Sequence, residues 1–182
     1  FGARVVIFSL LVDTSDGPAR QKQVKYLNEE TEPGTAAETL KASTWVVGLT
    51  AEEKFSLIEL AAPALAHLSP GQFTGFKRAI EHLFYADDQL DLFEWSLQKL
   101  IDHDLGQHFS QQRQLHGKAS IGLLSHECKV ILAALSHYGQ DGANPGPAFN
   151  AGFAALNLGQ SSTVNTTLPT QAECGIEQLE QA

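Results

Sequence analysis

Apolar residues recur along this chain at helical spacing, in short blocks divided by proline, glycine and polar turns. Val5, Ile7, Phe8, Leu11 and Val12 are apolar on several sides, the pattern of a buried helix. Asp13 to Pro18 reads as a turn, with Pro18 placed to open a second helix whose inner face carries Val24 and Leu27. Pro33-Gly34 breaks that helix, and a third follows with Ala37, Leu40 and Val47 near helical spacing. Thr50-Ala-Glu-Glu53 is a capping box: the threonine oxygen accepts from the N3 amide, and Glu53 reaches back to the cap. Phe55, Ile58, Ala62 and Leu65 then line one face, and Pro63, lacking an amide donor, kinks or ends the helix. Ser69-Pro-Gly-Gln72 repeats the device ahead of Phe73, Phe76, Ile80, Leu83 and Phe84. Asp91-Leu-Phe-Glu94 does so again, with Phe93, Leu97, Leu100 and Ile101 following.

Residues 102–120 are polar and loosely patterned. Helical spacing returns with Leu124, Cys128, Ile131 and Leu135, an apolar stripe that reads as core, and Gly139 is a stop. From Gln140 to Ala172 the one charged residue is Asp141, and Gly, Asn, Ser and Thr dominate. This reads as a linker or mobile loop with a short helix around Phe149 to Leu156. Thr170-Gln-Ala-Glu173 opens a last helix with Ile176 and Leu179 on one side. No alternating stretch is long enough for a strand. The expectation is an all-α chain: a helical core over 1–139, a low-charge linker over 140–169 and the start of a further helix over 170–182.

Composition narrows the function. Of 182 residues, 43% are hydrophobic and 18% charged, which is globular and too apolar for disorder. A net charge of −9 disfavours nucleic acid, whose phosphates call for a Lys/Arg excess. No run of apolar residues is long enough to span a bilayer, and the first block lacks the flanks of a signal peptide. Cys128 and Cys174 imply no disulfide framework. The chain has no methionine and starts in mid-pattern, so the expectation is a piece of something longer.

Among chemistry-bearing residues, the densest acidic cluster is Asp87, Asp88, Asp91 and Glu94. Asp87, Asp91 and Glu94 are the candidates for a hard divalent cation, which takes carboxylate oxygens converging between two helices. The spacing is not that of an EF-hand: Gln89, Leu92 and Gln98 stand where that loop needs an acid or Asn, a glycine and a glutamate. The competing reading makes Asp91 a helix cap, Glu94 its partner, and Asp87 and Asp88 solvated turn residues. The HExxH zinc helix is absent: His126-Glu-Cys128 has Val130 where the second histidine belongs. His103 and His108 are five apart and do not share a helix face, while Asp104 and His108 can pair. Cys128 is a possible nucleophile, but its apolar stripe favours a small buried hydrophobe. Asn165-Thr-Thr167 fits a glycosylation acceptor. Gly142 to Gly152 is not a phosphate loop, and Trp45 and Trp95 read as core or interface anchors.

Several segments together resemble a known region. They are Ala3-Arg-Val-Val-Ile-Phe-Ser-Leu-Leu-Val-Asp13, Ala19-Arg-Gln21, Leu68-Ser-Pro-Gly-Gln-Phe73 and Ala86-Asp-Asp-Gln-Leu-Asp-Leu-Phe-Glu-Trp-Ser-Leu-Gln98. They are similar to the C-terminal region of bacterial membrane-bound zinc endopeptidases of the HtpX-like kind. The resemblance covers residues 1–138 and returns at Cys174 to Leu179. It implies a TerB-like orthogonal array of helices. Such regions carry an Ala-x-Asp-Gly acidic turn at the place of Ala86-Asp87-Asp88, and here Asp88 stands where glycine is usual. The second acidic turn of the family pattern would lie beyond Ala182.

Two functions follow from the resemblance. The first is a non-catalytic, soluble accessory or regulatory domain of a membrane-anchored endopeptidase. The parent's catalytic domain would hold zinc, and the fragment would hold no cofactor. Its partners would be the rest of the parent chain, a protein substrate or a regulator, with membrane association only through the parent. The alternative is a TerB-like module that binds a divalent cation or a protein and has no protease parent. A plain helical scaffold whose linker docks elsewhere is a third possibility.

Overall fold

The computed structural model describes residues 1–87, 92–109, 121–139, 144–156 and 167–181. Among them there is helix and turn and no strand. The chain gathers into two compact units, Phe1–Gln114 and Leu115–Ala182. The helix of residues 125–138, which the sequence pattern attaches to the first core, therefore gathers with the segments that follow it.

In the first unit the helices are α1 (Gly2–Leu11), α2 (Pro18–Glu30), α3 (Thr35–Val46), α4 (Ala51–Leu65), α5 (Pro70–Phe84) and α6 (Leu92–Leu100). A single π-helical turn, Ile101–Leu105, and a short helix α7 (Gly106–Phe109) continue from α6. α1 carries one charge, Arg4, and is buried on several sides, as its pattern predicts. It packs against α3, α4 and α5. Ile7, Phe8, Leu27, Leu65, Phe76, Leu83, Phe84 and Leu97 form the closed centre, with the Phe8 and Phe76 rings 5.6 Å apart. The α5 face of Phe73, Phe76, Ile80, Leu83 and Phe84 is buried as its spacing requires. Both capping boxes are present, Thr50 with Glu53 and Ser69 with Gln72. Pro63 sits in the last turn of α4, where its missing amide leaves the Glu59 carbonyl without its intrahelical donor while the helix runs on to Leu65.

The apolar residues near helical spacing on α3 do not mark its buried face. Ala37 and Val47 are exposed, and Thr35, Ala36, Thr39, Ser43 and Val46 are the buried residues. The physical reason is size: small side chains let α3 lie close to α1. The Ser43 hydroxyl is spent on the Leu40 carbonyl at 2.8 Å, so burying it costs little. A periodicity counted on large apolar residues alone misses such a face. It also turns Trp45 outward, 71% exposed, which removes the core reading for that residue.

Gln23 on α2 is buried, and it ties three segments together. Its amide nitrogen donates to the Leu11 carbonyl at 3.1 Å and to the Leu83 carbonyl at 2.8 Å, and its oxygen accepts from the Asp13 amide at 2.7 Å. The last carbonyls of α1 and α5 lack intrahelical partners, and this one side chain supplies them. At the Pro33-Gly34 break, Gly34 caps α3 in the left-handed region with φ of 89°, a conformation that suits glycine.

The second unit holds α8 (Ser125–Tyr138), α9 (Pro145–Ala155) and α10 (Ile176–Gln181), with a 3₁₀ turn at Gln171–Cys174. α8 packs against α9, α10 and that turn. The short helix expected around Phe149 to Leu156 is α9, and Phe149 and Phe153 are buried on it, with ring centroids 5.7 Å apart. A Cβ at Gly152 would meet Leu132 Cδ2 at 2.8 Å, so glycine lets α9 approach α8. The capping box of Thr170 and Glu173 is present. His137 Nε2 lies 2.8 Å from the Pro169 carbonyl, which anchors the segment leading into it.

The α8 stripe is a correction. Leu124, Ile131 and Leu135 are exposed and Cys128 is half-buried, whereas Val130, Ala133, Ala134 and Ser136 form the inner face. As on α3, close packing selects the small residues, and the larger apolar ones are left outside.

Candidate functional site

The acidic turn follows α5. Asp87 closes a 3₁₀ turn, Tyr85–Asp87, but its side chain and the whole of Asp88 and Asp91 lie outside the described residues. Glu94 is half-buried in the first turn of α6, where a negative charge suits the helix dipole. Lys22 Nζ donates to the Ala86 carbonyl at 3.1 Å. That contact brings an ammonium to the start of the turn. A positive charge there opposes a second, divalent one. Among the described residues, no group of three or more His, Cys, Asp and Glu side chains is placed to hold a metal.

The remaining candidates are scattered. His103 lies exposed on the π turn, and the side chains of Asp104 and His108 are outside the described ones. Asn165 also lies outside the described residues. Cys174 is buried and its thiol is directed at the Thr170 carbonyl, 3.3 Å away. Burial, and then the neighbouring Glu173 charge, push that thiol's pKa up, which disfavours the nucleophilic thiolate. The backbone and side-chain hydrogen bonds from Thr170 hold the Glu173 carboxyl below the ordinary range, as a cap should.

Clefts among the described residues offer candidate binding sites. One, of about 510 Å³, is lined by His126, Val130, Ala172, Glu173, Gln178 and Gln181. Its polar walls carry one histidine and one carboxylate that is already engaged by Thr170. A second, of about 310 Å³, runs past Arg4, Thr31, Glu32 and Gln72. Arg4 there is paired with Glu32 at 2.7 Å, so its charge is met within the chain.

The third cleft, of about 330 Å³, differs in kind. It is a groove between α1, α3 and α4, walled by Val5, Val6, Ala42, Trp45, Leu49 and Leu57. Its polar members are self-satisfied. The Ser9 hydroxyl donates to the Val6 carbonyl at 2.7 Å. Glu38 and Lys41 face each other at 3.9 Å, and the Lys41 ammonium lies 6.0 Å from the centre of the Trp45 ring. What the groove offers a ligand is apolar area with an aromatic lip. The spacing of large apolar residues does not mark it, because the buried face of α3 is built mostly from small side chains. The usable signal was Lys41 and Trp45 one helical turn apart, a pair that favours an exposed indole.

Comparison with protein-family models, with curated proteins and with solved structures finds no match. No helix among the described residues is long and apolar enough to cross a membrane.

Proposed function

We propose that this chain is a non-catalytic helical accessory module that binds an apolar polypeptide segment in the groove between α1, α3 and α4. The observation that carries the reading is the groove itself: apolar walls, satisfied polar groups and an indole left 71% exposed at its lip. In the free chain the exposed indole has only the Lys41 ammonium near its ring and most of its apolar area stays in water. At an interface it is the residue type that most often dominates binding. The occupant that fits is an amphipathic helix presenting apolar residues at successive turns, the helix-in-groove mode.

The resemblance over residues 1–138 supports placing the module in a longer, membrane-anchored zinc endopeptidase, with a TerB-like arrangement of helices. Zinc would then belong to the parent's catalytic domain, and the rest of that chain would supply the apolar segment. Membrane association would come through the parent.

Trp45→Ala is expected to leave the melting temperature nearly unchanged, since little of the indole is packed. The same change is expected to weaken binding of an amphipathic, leucine-rich helical peptide at least tenfold. With Trp95→Phe as background, peptide titration should shift Trp45 emission to the blue. Peptide binding indifferent to Trp45→Ala would reject the groove. Chelator-sensitive proteolysis by the purified chain would reject the accessory role. A melting temperature raised by millimolar calcium would favour the cation-binding alternative.

A further inference from the structure

The charges around the groove are not balanced as a partner would meet them. Each helix that walls it carries one basic residue, and each of these is engaged within the chain. Arg4 of α1 pairs with Glu32 at 2.7 Å. Lys54 of α4 lies over the Phe93 ring, 5.2 Å from its centre. Lys41 of α3 is shared between Glu38 and the Trp45 ring. Two acids at the rim stay open. Glu38 lines the groove on the α3 side, with its side chain 52% exposed. Its contact with Lys41, 3.9 Å between two exposed groups, is the weak kind of ion pair that a partner's charge displaces. Glu53 is exposed on the α4 side. It stands one turn before Leu57 on the same helix face, and it is bonded to Thr50, the neighbour of Leu49; Leu49 and Leu57 are both groove walls. Both of those bonds end on Glu53 Oε2, so they cap the helix without neutralising the charge.

We infer that the groove takes a basic amphipathic helix, an assignment that rests on the groove being the binding surface proposed above. Apolar residues of that helix meet the walls and the Trp45 indole. Lys or Arg residues on the two edges of its apolar stripe reach Glu38 on one side and Glu53 on the other. Their aliphatic stems cover apolar wall on the way. A cation is compatible with the lip, because the indole face there already holds the Lys41 ammonium. The net charge of −9 attracts the same class of partner at long range, which speeds encounter, while the two rim carboxylates fix the preference locally.

The test uses the full chain with Trp95→Phe and three helical peptides with identical leucine positions, whose remaining positions are Lys, Gln or Glu. Trp45 emission reads binding. At about 20 mM salt the Lys peptide is expected to bind about tenfold tighter than the Glu peptide, with the Gln peptide between them and the gap closing at about 500 mM salt. Glu38→Gln with Glu53→Gln should narrow the gap to about threefold or less, and glutamine at position 53 keeps the capping box. Lys and Glu peptides that bind equally, both lost on Trp45→Ala, overturn the charge preference and leave the groove standing. A gap that the double variant does not narrow also overturns it, since the preference would then belong to the chain's overall charge. A Glu peptide that binds tighter, and loses the advantage with Lys41→Gln, overturns it by making Lys41 the reader of an acidic partner. If none of the three peptides binds, the groove reading fails and this assignment falls with it.

Discussion

Phe76→Ala is expected to cost about 4 kcal/mol of stability, the largest effect of any single truncation considered for this chain. Phe76 is 1% exposed at the centre of the first unit, on the buried face of α5 and against the Phe8 ring of α1. The loss combines the transfer term for a large aromatic with the cavity it leaves. Relaxation is limited, because Ile7, Leu83 and Phe84 around it are themselves closed off. In urea the transition midpoint of the first unit should move far down with its slope unchanged. The thermal midpoint should fall by roughly 15 °C. A loss under about 1 kcal/mol would show that this centre is loosely packed.

Gln23→Leu should come second, at about 3 kcal/mol, although leucine is the more apolar residue and has a similar volume. Hydrophobic bookkeeping predicts a neutral or favourable change. The hydrogen bonds predict the reverse, and they decide the sign. Leucine would leave the Leu11 and Leu83 carbonyls and the Asp13 amide without the partner that now meets all three. Each buried unpaired backbone group costs on the order of 1–3 kcal/mol, while the apolar gain is about 1 kcal/mol. Chemical denaturation of the variant settles the sign. A more stable variant would mean that water reaches these groups and that Gln23 is a passive filler.

These two residues differ in how visible they are before folding. Phe76 sits in a strong series on α5, between a capping box and a turn, so its burial follows from spacing. Gln23 shares α2 with Val24 and Leu27, and nothing local marks it as buried. Its partners are the ends of two other helices, 12 and 60 residues away along the chain. The helices of the first unit were therefore legible wherever large apolar residues alone made the inner face. On α3 and α8 the inner face is built mostly from alanine, serine and threonine with one valine each; the large-residue spacing did not mark it on α3 and pointed to the opposite face on α8. For function the small-residue face of α3 matters most: it leaves Trp45 outward, at the groove on which the proposed function rests. The acidic candidates fared differently. Glu94 lies in the first turn of a helix as read, while Asp91 and the Asp87 side chain fall outside the described residues.

The measurement that most directly tests the central claim is site-specific photocrosslinking from the groove. A benzophenone amino acid is placed at Ala42, on the groove wall, and in a second sample at Glu29, exposed on α2. Each is irradiated with the amphipathic leucine-rich peptide. The account predicts a peptide adduct from position 42, lost when Trp45→Ala is added, and none above background from position 29. Equal labelling from both positions, or labelling at position 42 that ignores Trp45, would contradict it.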